Sequence, residues 1–230
     1  MSTHENALDF TNISMRTAAI VAGAGLLLIA ILSPIAYLNT FQRLVKFDDA
    51  ALTAQNTLNS MGEFRTAVLL LFIVAILDIV VAWGLYIVLV PANKNLSALA
   101  AWLRVIYGGI FMFAVSKLYV ASQVLTPDGT QAMPYLKAFQ SIWDTGLLLF
   151  GFHLLALGYL AFNSGYVPKW LGGFLVLAGL GYAVDGFGKI LSPAYSLNLA
   201  QFTFVGEVLL IFWLLWKGFK GFDQALEARK

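Results

Sequence analysis

Cysteine is absent from the 230-residue chain, which excludes disulfides, thiolate nucleophiles and Cys-ligated zinc or iron–sulfur centres. Charge is scarce too: Asp, Glu, Lys and Arg together make up 11% of the residues, where soluble domains carry about a quarter. So few charges cannot coat a globule of this size in water, and lipid must solvate much of its surface. The formal net charge is only +2 and no basic run is interleaved with aromatics, which excludes nucleic acid as a partner. Histidine is nearly missing as well. Of His4 and His153, the first lies ahead of every apolar run, so a bis-histidine haem lacks its second ligand. No His-Glu-x-x-His spacing, Gly-x-Ser-x-Gly elbow or phosphate-cradling glycine loop is present. Neither a metal nor a cofactor is expected.

Apolar residues fill the space left: 60% of the chain is hydrophobic and the mean hydropathy is +0.81. They fall into long runs, each near the ~20 residues a helix needs to cross a bilayer. The runs predict spans over 17–38, 66–90, 97–121, 138–162, 169–191 and 198–216. Strand-type alternation is missing and open strands cannot satisfy their backbone in lipid, so the expected class is all-α. The expectation is a polytopic bundle of six helices making a single integral membrane domain over 1–230. Met1–Met15 carries Glu5 and Asp9 without a basic n-region, so the first run is expected to be a retained span and not a cleaved signal.

Local chemistry marks the boundaries. Ser60-Met61-Gly62-Glu63 has capping-box spacing before the second span, and Pro91 to Asn95 closes that span with a turn. Thr126-Pro127-Asp128-Gly129 is a turn signal after the third span, and Asn163 to Lys169 joins the fourth to the fifth. Pro34 is expected to kink the first span. A short surface helix capped by Asp48 is expected between 40 and 62. The glycines Gly23, Gly25, Gly108, Gly109, Gly151, Gly158, Gly172, Gly173, Gly179 and Gly181 suit close helix contacts. Trp102, Trp170, Trp213 and Trp216 suit an interfacial belt. Six spans put both termini on one side. That side carries eight Lys and Arg residues (Arg16, Lys94, Arg104, Lys169, Lys217, Lys220, Arg229, Lys230) against six on the other, which predicts cytoplasmic termini.

Against this apolar background the ionisable residues inside the runs stand out. A carboxylate at the bilayer centre costs on the order of 2.5–3.5 kcal/mol on insertion scales, so each needs a partner, water or a proton. At about 1.5 Å rise per residue, Asp78 and Glu207 fall near mid-membrane, with Arg104 and His153 towards the cytoplasmic side. These four form an expected inner cluster. An outer cluster groups Asp144, Asp185, Lys189, Lys117 and Arg65, in which Asp185 and Lys189 stand at i, i+4 and can pair on one helix face. Mutual pairing that only fixes helix register is the plainer reading of such groups. Lys117 and Lys189 could also snorkel to the headgroups. A Schiff-base chromophore at Lys189 with Asp185 as counter-ion is disfavoured by six spans and by its interfacial depth. Asp78 and Glu207 reach no interface and are the strongest functional candidates.

One further pattern runs along the chain: Phe64-Arg65, Asp78, Leu85-Tyr86, Pro91-x-Asn93-Lys94 and Leu99-Ala100-Ala101-Trp102-Leu103-Arg104. It continues through Gly151-Phe152-His153, Gly158-Tyr159-Leu160, Ser164-Gly165-Tyr166-Val167-Pro168, Ala178-Gly179-Leu180-Gly181-Tyr182, Asp185, Gly206-Glu207 and Trp213-Leu214-Leu215-Trp216-Lys217-Gly218. It resembles the mainly bacterial membrane proteins grouped as domain of unknown function 4386. The resemblance implies a six-helix bundle in a bacterial plasma membrane and brings no activity with it.

Three functions remain open on the sequence. The first is a protein whose inner cluster binds or relays a proton, an ion or a small polar ligand. The second is a non-catalytic accessory or sensor subunit, with a membrane-protein partner or a second copy of itself. The third is an intramembrane enzyme using His153 with a carboxylate as acid and base or as metal ligands.

Overall fold

The computed structural model describes residues 13–192, 194–223 and 226; His4, Glu5, Asp9, Arg229 and Lys230 lie outside the described residues. Helix α1 (Met15–Ala36) continues through a π-helical turn (Tyr37–Phe41) into α2 (Gln42–Leu44). There follow α3 (Ala50–Asn59), α4 (Met61–Leu89), α5 (Lys94–Gln123), α6 (Met133–Asn163), α7 (Lys169–Leu191), α8 (Ala200–Thr203) and α9 (Val205–Lys220). Six segments are long and apolar enough to cross a membrane: Met15–Leu44, α4, α5, α6, α7 and Ala200–Lys220. Among the described residues there is no strand. The all-α expectation holds, but several helices outrun their apolar cores, because the backbone ladder continues into the interfacial region where charged residues are tolerated.

Each boundary has an identifiable cause. The Asn93 side chain accepts from the Leu96 amide at 3.0 Å and starts α5. Asp49, not Asp48, caps α3 by accepting from Leu52 N at 2.8 Å. The expected capping box before α4 does not form: Ser60 makes no side-chain cap, and Glu63 pairs instead with Arg43. Pro34 cannot donate to the Ala30 carbonyl, and the ladder widens to π geometry just beyond it, at Tyr37. The turn at Gly129 (φ 69°) is held by Gly129 N donating to Thr126 O at 2.8 Å.

The helices pack in chain order: α1 against α4, α4 against α5, α5 against α6, α6 against α7, α7 against α9, and α9 back against α1. The spans therefore close into a ring. At the end of the ring where α1 begins and α9 finishes, Arg16 Nε donates to the Gly218 carbonyl at 2.9 Å. This will be called the near end, and the opposite end, with α3, the far end.

The tightest pair is α6 with α7. A Cβ placed on Gly151 would lie 2.9 Å from the Gly179 carbonyl oxygen, and one on Gly179 would lie 2.8 Å from that of Gly151. Gly158 and Gly172 repeat the arrangement one heptad away, at 2.8 and 2.9 Å. Small residues let two backbones touch where lipid offers no hydrophobic drive to association. Gly109 and Gly173 face open space, contrary to expectation, because they stand on the outer faces of their helices. Trp102, Trp170 and Trp216 are exposed as an interfacial belt requires, whereas Trp213 is buried against the core.

Candidate functional site

The middle of α4 carries Asp78 into the ring, and α5 carries Arg104 to meet it. Arg104 Nη2 donates to Asp78 Oδ1 at 2.6 Å, with the two side chains only 3% and 5% exposed. His153 of α6 completes the group. Its Nδ1 lies 2.8 Å from the Ala100 carbonyl, and since a carbonyl can only accept, that nitrogen carries the proton. Nε2 is then left to accept from Arg104 Nη1 at 3.4 Å. A third contact fixes the guanidinium, whose Cζ lies 5.2 Å from the centre of the Phe150 ring. Arg104 Nε alone is buried without a partner.

Glu207 sits differently. The sixth span is broken at Phe204, between α8 and α9, so Glu207 occupies the first turn of α9 and not the middle of a continuous helix. Gly206 beside it lets α9 press on α7: a Cβ there would lie 2.6 Å from the Phe174 carbonyl oxygen. Tyr182 of α7 lies beside the Glu207 carboxyl, yet Oε1 is enclosed and accepts no hydrogen bond. Among the described residues no basic side chain forms an ion pair with it.

Asp78, Arg104 and Glu207 line one chamber of about 420 Å³ at the centre of the ring. All six spans contribute to its walls, which are mainly apolar and aromatic, including Leu26, Val74, Tyr107, Phe111, Phe150 and Ile211. The Trp143 indole donates to the Tyr107 hydroxyl at 3.2 Å and holds two of these rings in place.

Trp143, Leu147, Tyr182 and Phe204 also border a second, more open cavity of about 760 Å³ towards the far end. This vestibule is polar. Lys189 Nζ lies 2.8 Å from Asp144 Oδ1, Gln140 donates to the same oxygen at 3.2 Å, and the Tyr37 hydroxyl donates to Gln140 at 2.7 Å. The chain thus ties the π-turn of the first span to the fourth and fifth.

Of the expected inner cluster, Asp78, Arg104 and Glu207 line one chamber, and His153 bonds to Arg104 without joining the lining. Of the expected outer cluster, Asp144, Asp185 and Lys189 line the vestibule together, but the expected Asp185–Lys189 pair does not form. Lys189 pairs with Asp144, and Asp185 accepts instead from the Tyr195 hydroxyl at 2.6 Å, Leu199 N at 2.8 Å and Ala200 N at 2.8 Å. Asp185 thereby anchors the loop that leads into α8, and its hydrogen bond pushes the Tyr195 phenol up to about 12. Lys117 lies over the Phe113 ring at 4.2 Å, and Arg65 is exposed; neither joins a cluster. Among the described residues no three of His, Asp and Glu converge as metal ligands. Tyr37, Gln140 and Tyr182 were not anticipated, although Gln140 and Tyr182 stand four and three residues before Asp144 and Asp185 on the same helix faces.

A closed ring of six apolar helices around a charged chamber defines a multi-pass integral membrane protein. The chain belongs to the family described as Domain of unknown function (DUF4386), whose model matches residues 21–218. It is similar to an "Uncharacterized protein" of Archaeoglobus fulgidus, 39% identical over 150 residues, which is 65% of this chain and 82% of that protein. No solved structure matches the chain significantly.

Proposed function

We propose that this protein binds a proton, a monovalent cation or a small polar ligand at Glu207, reached through the far-end vestibule. The observation that supports the reading is Oε1 of Glu207, enclosed without a hydrogen-bond donor beside a cavity of about 420 Å³. Asp78 and Arg104 neutralise each other and His153 carries its proton on Nδ1, so the chamber holds one carboxyl in excess. A lone carboxylate in low dielectric is costly, and a proton or an exchangeable cation relieves that cost. The bonded trio of Asp78, Arg104 and His153 supports a scaffolding role for those three, which set the wall against which the Glu207 ligand would sit.

The protein would reside in a bacterial plasma membrane with cytoplasmic termini, a reading supported by Arg16, Lys217 and Lys220 at the near end. The melting temperature of purified protein, followed against pH and against sodium or potassium concentration, is expected to vary through Glu207. Replacing Glu207→Gln should flatten that dependence. Superimposable profiles for the two proteins would remove the reading.

A further inference from the structure

The chamber has exposed lining residues on the side of the first and sixth spans as well. α1 and α9 press together at the near end, where a Cβ on Gly23 would touch Leu215 at 2.9 Å and Arg16 holds the Gly218 carbonyl. Towards the far end the same two spans carry Ala30, Pro34 and Phe204, which line the chamber and are also exposed. Val205 and Ile31, their neighbours, are exposed apolar residues at the same level. Along this seam between the first and sixth spans, residues that line the chamber are thus exposed and flanked by exposed apolar side chains. The chamber behind it is lined chiefly by apolar side chains, with the unpartnered Glu207 oxygen on its floor.

We propose that this seam admits an amphiphile from the far leaflet, whose protonated amine head reaches Glu207 while its hydrocarbon tail stays between α1 and α9. Charge and hydrogen bonding select the head. Glu207 Oε1 needs a donor, an alkylammonium N–H supplies one together with the missing positive charge, and the charge of Arg104, whose Nε alone lacks a partner, is already balanced by Asp78. An anionic head would meet an unpaired carboxylate, and a neutral alcohol would leave it uncompensated. The tail has its own reason: a ligand drawn from bulk water would use the polar vestibule and would have no need of this apolar seam. The proposal rests on Glu207 being a ligand site and adds the chemistry and the route of the ligand.

Native mass spectrometry of the purified chain tests both additions, with dodecylamine, dodecanol and butylamine as probes. Wild-type protein is expected to retain dodecylamine in preference to either of the others. A charge-assisted hydrogen bond of ordinary strength makes the loss on Glu207→Gln roughly ten- to a hundredfold for dodecylamine, with dodecanol unaffected. Ala30→Phe, which narrows the seam and leaves Glu207 in place, should also weaken dodecylamine; Val205→Phe, at the exposed neighbour of Phe204, serves as the second plug if the first does not fold. Equal retention of dodecylamine and dodecanol overturns the amine. Equal retention of dodecylamine and butylamine, or plugs without effect, overturns the lipid route and leaves the pH and cation dependence of Glu207 standing. If Glu207→Gln changes neither amine retention nor that dependence, both readings fall together.

Discussion

Arg104 satisfies an acid, an imidazole and an aromatic face at once, and that concentration of contacts makes it the residue on which the core depends. Asp78→Ala would leave its guanidinium charged and unpaired inside the ring, at a cost of about 3–5 kcal/mol. Replacing both members, as in Asp78→Leu with Arg104→Met, should cost much less than the sum of the single changes. Unfolding in mixed detergent and SDS micelles measures the coupling, and strict additivity would mean that the pair is no pair. A milder expectation concerns Asp128 in the far-end turn. Hydrogen bonds from Thr126 and Thr130 hold its carboxyl below the ordinary carboxylate value. A group depressed in this way stabilises the turn above its unfolded pKa of about 3.9, and that contribution is lost as pH falls through the folded value. Amide exchange at Gly129 and Thr130, corrected for its intrinsic pH dependence, should therefore lose protection below that range in the wild type, and should not do so in Asp128→Asn. That Asp78 and Glu207 lie inside spans was readable from the apolar runs alone, but Glu207 was expected near the middle of its helix and instead stands in the first turn of α9. The partner of Asp185 was not readable, because Leu199 and Ala200 reach it only after the chain folds back from the end of α7.

Among elements, α6 and α7 form the stiffest unit because glycine faces glycine twice across their contact. Gly151→Leu or Gly179→Leu has to push two backbones apart and should destabilise by at least the roughly 1–3 kcal/mol typical of overpacking. Gly173→Ala, which meets nothing within 4 Å, should stabilise the helix by about 0.5–1 kcal/mol through backbone entropy. Melting temperatures of the three variants decide the matter, and a Gly173→Ala loss as large as that of Gly151→Leu would refute the assignment of faces. The spacing Gly151 to Gly158 announced this contact in the sequence, but spacing cannot say which neighbour shares it, and Gly173 shows that adjacency to a packed glycine is no guide. The break at Phe204 left no sequence signal of its own, having neither proline nor glycine at the break. Around it Asp185 holds the backbone where α8 starts and Gly206 lets α9 lie close on α7, and at Phe204 the ladder tightens to Glu207 N donating to the Phe204 carbonyl at 2.9 Å. The π-turn after Pro34 has a local cause and was half legible: proline foretold a disturbance without its form.

At the scale of the whole molecule the ring is polar at its far mouth, charged at its centre and clasped at its near end, so it has a direction. The absence of cysteine makes that direction measurable. Gln201 lines the vestibule at the far end, and Lys94 opens α5 at the near end. If the near end is cytoplasmic, as the Lys and Arg distribution predicts, a single cysteine at Gln201→Cys should react with a charged, membrane-impermeant thiol reagent in intact bacterial cells. One at Lys94→Cys should react only after the membrane is opened. The reverse pattern would turn the protein over and point the vestibule at the cytoplasm. The same Gln201→Cys protein bears on the inner route too, because Trp143 and Tyr182 line both the vestibule and the chamber that holds Glu207. A bulky label there should block small cations such as sodium from Glu207 while leaving dodecylamine free to enter between α1 and α9. Two routes to one carboxyl, one wet and one oily, would then be separable in a single protein.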